Sequence, residues 1–257
     1  MRRGGLKGRI IIGVVIAAFA LFQYLSRQET NPYTGKKQAI SMTVDQEIAM
    51  GLASREQMAQ QYGGLYPNEE MQALVDEVGR KLVNNSIAQE TPYQYEFHLL
   101  ADNSTINAFA LPGGQIFITY ALYSQLETED QLAGVLGHEI GHVLGKHSAE
   151  RIANSDLWQG LSSAGSSVGN EIGGLIAQGG NGILLKNGRG DELESDDLGV
   201  RFMMKAGYNP EEMIKVMAIL KAAGGSNRVP EFQSSHPDPD NRVENIRASI
   251  EKYRNNN

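Results

Sequence analysis

The residues His138-Glu139-Ile140-Gly141-His142 hold two imidazoles four positions apart with a carboxylate between them. On a helix, that spacing is slightly more than one turn, so both rings project from one side and can share a cation. Glu139 falls between them on the helical wheel, where it can hold a water at the metal instead of the metal itself. Neutral imidazole nitrogen suits Zn²⁺, and a catalytic zinc site takes three protein ligands and leaves one position open. Bound zinc lowers the pKa of water to about 7. The chemistry within reach is hydrolysis by that water with Glu139 as general base.

Two elements must position these groups. Thr128 and Gln131 form a capping-box pattern, and Glu129 and Asp130 sit in the first turn, where the helix dipole favours anions. Leu132, Val135, Leu136, Ile140, Val143 and Leu144 follow at the spacing of one buried stripe. Gly134, Gly137, Gly141 and Gly145 share the next face. Each helical glycine costs roughly 1 kcal/mol relative to alanine, so four on one face predict close approach by another backbone.

A third ligand can come by two routes. A third histidine from the turn after the helix fits poorly. The required position is Ser148, and His147 arrives one residue early, roughly 140° from His142 if the helix continues. His147 then reads as a C-terminal histidine that complements the dipole. The second route is a glutamate from the helix predicted over Gly190–Gly207, whose first turns are acidic and which Gly207 and Pro210 stop. Glu192 and Asp196 share a face there. Glu192 becomes the third metal ligand, and Asp196 the carboxylate that fixes a histidine's tautomer.

HEIGH followed by Glu192 and Asp196 in an E-x-x-x-D arrangement resembles the gluzincin metalloproteases. The wider text is similar to the HtpX-like and CAAX-prenyl-protease-type family over about Asn31 to Arg242: Asn107-Ala108-Phe109-Ala110-Leu111-Pro112-Gly113-Gly114 before a strand, Gly134-Val135-Leu136-Gly137 leading into HEIGH, and Ala206-Gly207-Tyr208. Asn31-Pro32-Tyr33-Thr34-Gly35 and His236-Pro237 resemble its single-anchor periplasmic branch. Ser195 stands where the family usually has alanine, a small-for-small change. The resemblance implies an α+β, mainly helical zincin-type domain with a small β-sheet, one Zn²⁺ per chain, and unfolded or misassembled envelope proteins as substrates.

A net charge of −7 argues against nucleic acid as a partner, and zero cysteines exclude disulfides and a cysteine-rich structural metal site. Arg2, Arg3, Lys7 and Arg9 precede an uncharged 16-residue segment, Ile10–Leu25. As a helix it reaches about 24 Å, slightly under the ~30 Å hydrocarbon core. We read residues 1–27 as a cytoplasmic tip and one N-terminal transmembrane helix, 28–43 as a linker and 44–257 as the protease domain. The rival reading is a signal peptide cleaved after Ala18-Phe19-Ala20, giving a secreted periplasmic protein. N-terminal basic residues favour an inner-membrane protein with its N-terminus in the cytoplasm and the zinc domain in the periplasm.

Helices are predicted over 44–62 and 68–85, and strands over 95–101 and 114–120. In the second strand Ile116, Ile118 and Tyr120 face one way, and Gln115, Phe117 and Thr119 the other. The resemblance implies that such a strand flanks the zinc cleft and pairs with extended substrate. That makes Asn107, Gly114, Gln115 and Ile116 substrate-binding candidates. The alternative is an ordinary edge strand. Residues 160–190 hold ten of the 29 glycines. They read as a mobile loop, or as a lid over the cleft, and as too polar for a second span. Gly165, Gly169 and Gly173 also make a small-x-x-x-small ladder.

His236 lies in a turn stiffened by Pro237 and Pro239. It reads as a second catalytic residue, either an oxyanion donor or, as the resemblance implies, an occupant of the open metal position in a latent state. A surface-turn histidine is the plain alternative. Arg242 is expected to hold this segment through a carboxylate the sequence does not identify. The reading is a membrane-anchored zinc endopeptidase with Glu139 as general base. The alternatives are a chaperone-like binder of envelope proteins with secondary proteolysis, and a structural zinc protein. The sequence leaves the oligomeric state open.

Overall fold

The computed structural model describes residues 5–223, 232, 236 and 241–255, without the side chains of 185–187. The chain divides into two compact units, residues 1–42 with 148–188 and residues 43–147 with 189–257. The region read as one domain from residue 44 onward therefore contributes to both.

The first unit holds α1 (Leu6–Ser26), followed by β1 (Gln28–Thr30) and β2 (Lys37–Ala39), which pair antiparallel within the segment expected as a linker. Asn31 shapes the turn between them, its Oδ1 accepting from the backbone N–H of Tyr33 at 2.9 Å and Thr34 at 3.2 Å. The rest of the unit is a hairpin made by most of α6 (His147–Val168) and the first half of α7 (Asn170–Lys205). The loop expected over 160–190 is therefore helical apart from Gly169. The helix expected from Gly190 already begins at Asn170.

The second unit is built around a three-stranded sheet. α2 (Val44–Gln61) opens with a complete capping box between Thr43 and Gln46, and Asn68 caps α3 (Glu69–Asn84). The sheet order is β3 (Glu96–Leu100), β5 (Gln115–Thr119), β4 (Ala108–Ala110), with β3 parallel and β4 antiparallel to β5. β5 is thus the central strand, and all five of its residues are buried. Its alternation does not separate a wet face from a dry one, because a strand paired on both sides and covered on both faces needs no polar face. α4 (Tyr120–Tyr123) follows it directly.

α5 (Glu129–Leu144) packs against α3, β4 and α8 (Glu212–Ala223). Thr128 caps it as expected, accepting from Gln131 N at 3.2 Å, but Gln131 returns its Oε1 to Glu127 N at 2.8 Å instead of to Thr128. The apolar stripe is buried, and so are Ala133, Gly134, Gly137 and Gly141. The helix runs through the interior. The C-terminal half of α7 lies along the glycine face: a Cβ at Gly141 would stand 2.9 Å from Ser195 Cα, and one at Gly137 3.4 Å from Gly199 Cα. The close backbone approach that the four glycines predicted is therefore made by α7 at two of them. Gly207 (φ 79°), just past the end of α7, closes the helix off, with Tyr208 N bonded to Met203 O at 2.8 Å. α9 (Arg242–Arg254) closes the unit.

Candidate metal centre

The α5–α7 contact brings His138, His142 and Glu192 together. His138 Nε2 lies 3.2 Å from Glu192 Oε2, His142 Nε2 lies 3.3 Å from Glu192 Oε1, and the two Nε2 atoms are 3.0 Å apart. His236 joins them, its Nδ1 3.1 Å from Glu192 Oε1 and 3.3 Å from His138 Nε2. One ligand atom from each of the four falls within 4.8 Å of the others. Glu192 is fully buried, His138 and His236 nearly so, and Phe232 stacks on the His236 ring. Pro237 and Pro239, expected to stiffen the turn at His236, lie outside the described residues.

Imidazole lone pairs and carboxylate oxygens facing one another at these distances repel unless a proton or cation lies among them. A two-nitrogen, one-carboxylate set of this kind fits a divalent transition metal. Glu139 adds a second mark. Both its carboxylate oxygens are buried and without a hydrogen-bond partner among the described residues. His236 Nε2 lies 3.6 Å from Oε1. Such a carboxylate is placed to receive a proton from something that enters the site.

The outer nitrogens of the two histidines are held differently. His138 Nδ1 donates to Asp196 Oδ1 at 2.8 Å, so Nε2 is the nitrogen turned to Glu192 and His142. Asp196 is itself gripped by Arg242, from Nε to Oδ2 at 2.6 Å and from Nη2 to Oδ1 at 2.9 Å. Asp196 is therefore the carboxylate that Arg242 was expected to find. On its outer side His142 meets another imidazole. Its Nδ1 lies 2.9 Å from His147 Nδ1, and His147 Nε2 reaches Glu194 Oε2 at 3.0 Å.

The reading of His147 as a dipole-complementing terminal residue does not hold. α5 stops at Leu144, Lys146 adopts a left-handed backbone (φ 56°), and α6 starts afresh at His147, so the buried ring turns back to His142. Lys146 is anchored by Glu47, 2.8 Å from its Nζ, and Glu47 also accepts from Tyr93 OH at 2.9 Å. His147 also forms a separate group with Asp191 and Glu194.

Electrostatics follow from burial and these partners. Burial lowers the pKa of His138, but hydrogen bonds to Asp196 and Glu192 outweigh it and bring it to about 9. For His142 burial wins over Glu192, and its pKa falls well below the usual imidazole value. Burial raises the Glu139 carboxyl, with His236 and His138 opposing. Burial also works to raise Glu192 and Asp196, but facing histidines hold the first well down, and Arg242 with His138 holds the second down.

The substrate-binding candidates are placed less favourably. Gln115 and Ile116 are buried in the central strand, where the Gln115 side chain bonds His98 Nε2 at 3.0 Å and Gln94 O at 3.4 Å. Gly114 is buried in the turn before β5 (φ 108°), and Asn107 is buried with its amide on Tyr62 OH at 3.2 Å. Neither Gln115 nor Ile116 presents a free edge, because β3 and β4 occupy both sides of β5. β4 is one of the sheet's two outer strands, and the carbonyl of Ala108 on it accepts from His236 Nε2 at 3.2 Å.

The chain is similar to known proteins over most of its length. The family described as "Peptidase family M48" matches residues 69–250. The chain is similar to the beta-barrel assembly-enhancing protease of Yersinia pestis, 29% identical over 94% of this chain and 51% of that protein. The Escherichia coli protein of the same name is 26% identical over 95% of this chain and 53% of its own length. The mitochondrial metalloendopeptidase OMA1 of Schizosaccharomyces pombe is 27% identical over 92% and 70%. The chain spans about half the length of the first two.

Proposed function

This chain belongs to peptidase family M48, and we propose that it acts as a membrane-anchored zinc endopeptidase on unfolded or misassembled envelope proteins. The observation that carries the reading is the pairing of the His138–His142–Glu192 cluster with the carboxylate of Glu139, buried and unpartnered among the described residues. His138, His142 and Glu192 would hold the zinc, which when bound polarises a carbonyl and makes water acidic enough to attack it. Glu139 takes the proton from the attacking water and returns it to the leaving amine. Burial raises the Glu139 carboxyl, which suits a group that must hold and then release that proton.

β4, the outer strand beside the cluster, offers an edge on which an extended peptide can add as a further strand. His236 stands in the way, donating to Ala108 O while its other nitrogen faces Glu192. The same residue therefore sits both at the cluster and at the strand edge, which supports a latent arrangement that substrate displaces. The relatives' printed names, beta-barrel assembly-enhancing protease and mitochondrial metalloendopeptidase, support protein substrates and a membrane setting. The apolar α1 supports the anchor.

The test is Glu139→Gln. The variant retains zinc and its fold but no longer cleaves an unfolded protein such as casein, because an amide cannot accept the water's proton. Cleavage at the parent rate, or parent activity that survives chelation, overturns the assignment.

A further inference from the structure

We propose that the α6–α7 hairpin lies in the bilayer beside α1, so that the protein is anchored by a three-helix unit and not by a single span. The proposal rests on reading α1 as the membrane anchor. α1 is the one helix among the described residues long and apolar enough to cross a membrane. It exposes Ile11, Val14, Val15, Phe19, Phe22 and Leu25, each more than half.

α6 follows α1 along nearly its whole length. Near one end Arg9 Nε donates to Ser167 O at 2.9 Å, and at the other Arg27 Nη1 meets Asp156 Oδ2 at 3.0 Å. Between them, a Cβ at Gly13 would stand 2.9 Å from Ala164 O, and one at Gly160 2.6 Å from the Cβ of Ala20. Whatever medium surrounds α1 therefore reaches α6. α7 returns along α6: a Cβ at Gly165 would lie 3.1 Å from Gly173 Cα, and one at Gly180 2.7 Å from the Trp158 ring. Ser162 Oγ donates to Gly173 O at 3.0 Å, so this hydroxyl is satisfied inside the unit. Small residues at the contacts and polar groups bonded between helices are how helices associate in lipid.

The charge pattern matches α1. No charged residue falls between Asp156 and Glu171, or between Glu171 and Lys186. Each arm thus has 14 uncharged residues, about 21 Å of helix, close to the uncharged length of α1. Glu171 comes four residues after Ser167 in the chain, at the Arg9 end, and Asp156 pairs with Arg27 at the other.

Water offers no reason for the first half of α7 to be a helix. Five glycines fall between 173 and 182, and Gly174, Gly179 and Gly182 have nothing within 4 Å of where a Cβ would be. Each costs about 1 kcal/mol in an aqueous helix, with no close packing to offset it at those three. In hydrocarbon the balance reverses, because a melted segment would strand peptide groups at several kcal/mol each. Leu175 is 71% exposed, and Ile172 and Ile183, eleven residues apart and so on one face, are 45% and 43% exposed. Acyl chains are the occupant such a face fits.

Trp158 is the only tryptophan, so the test places one reporter at a time. In a Trp158→Phe background, Phe19→Trp and Leu175→Trp report from α1 and from the hairpin, in full-length protein reconstituted into phosphatidylcholine vesicles with brominated acyl chains. Both are expected to be quenched relative to unbrominated vesicles. Quenching at 19 without quenching at 175 overturns the embedded hairpin and leaves the anchor standing. Quenching at neither overturns the anchor reading and the hairpin with it. Should Leu175→Trp fail to fold, Leu175→Cys serves, because the chain has no native cysteine. A membrane-impermeant maleimide should label it only after detergent is added, and labelling in intact vesicles overturns the proposal.

Discussion

Asp196 Oδ1 lies 2.8 Å from His138 Nδ1, which settles the nitrogen that this ring turns to the cluster. The carboxylate is fixed in turn by two N–H groups of Arg242. Asp196→Asn keeps the shape but gives up the charge that faces both His138 and Arg242. We expect zinc affinity to fall about 10–100-fold, the usual effect of losing such a partner, with folding retained. Competition against a calibrated chelator measures it, and unchanged affinity would remove Asp196 from the site's design.

Glu192 and His147 separate by the same assay. Glu192→Ala is expected to lose most of the bound zinc, because no other carboxylate reaches both His138 and His142 among the described residues. His147→Ala is expected to keep one zinc per chain with affinity lowered about 10–100-fold, because it removes only the group that holds His142 Nδ1. Full zinc in the first variant together with loss in the second would exchange their roles.

Gly141 tests how closely α5 and α7 must approach. A Cβ there would meet Ser195 Cα at 2.9 Å and Ser195 O at 3.0 Å, both backbone atoms that yield only if α7 moves. Gly141→Ala should destabilise the fold by about 1–3 kcal/mol and weaken zinc binding, since Glu192 and Asp196 move with α7. Gly137→Ala meets ordinary contacts at 3.4 Å and should be far milder. Equal melting temperatures and zinc affinities in the two variants would show that the approach does not set the site.

These glycines also mark how much the sequence disclosed. A capped helix with two histidines beside an apolar stripe, and small residues wanting a backbone, is local information, and the α5–α7 contact follows from it. The central place of β5 is not local. Pairing with β3 and β4 is decided by distant segments, and an alternating strand reads the same at an edge or in the middle. His147 escaped because its direction depends on the left-handed backbone at Lys146, held by Glu47 about a hundred residues earlier in the chain. The hairpin escaped because glycine and serine read as loop when water is the assumed solvent.

His236 gives the prediction with two signs. As an oxyanion donor its loss would lower activity about 10²–10³-fold. As a latent occupant its loss would raise activity towards unfolded protein. The geometry favours the second. His236 Nδ1 sits 3.1 Å from Glu192 Oε1, inside the group that would hold the metal, and Nε2 is spent on Ala108 O at 3.2 Å on the outer strand β4. A donor waiting for an oxyanion would need one of those nitrogens free, and an incoming peptide would need the strand edge. We expect His236→Ala to cleave casein faster than the parent, with zinc content unchanged. A loss of a hundredfold or more with zinc retained assigns the oxyanion role, and an unchanged rate with an unchanged metal spectrum (cobalt in place of zinc) removes His236 from both.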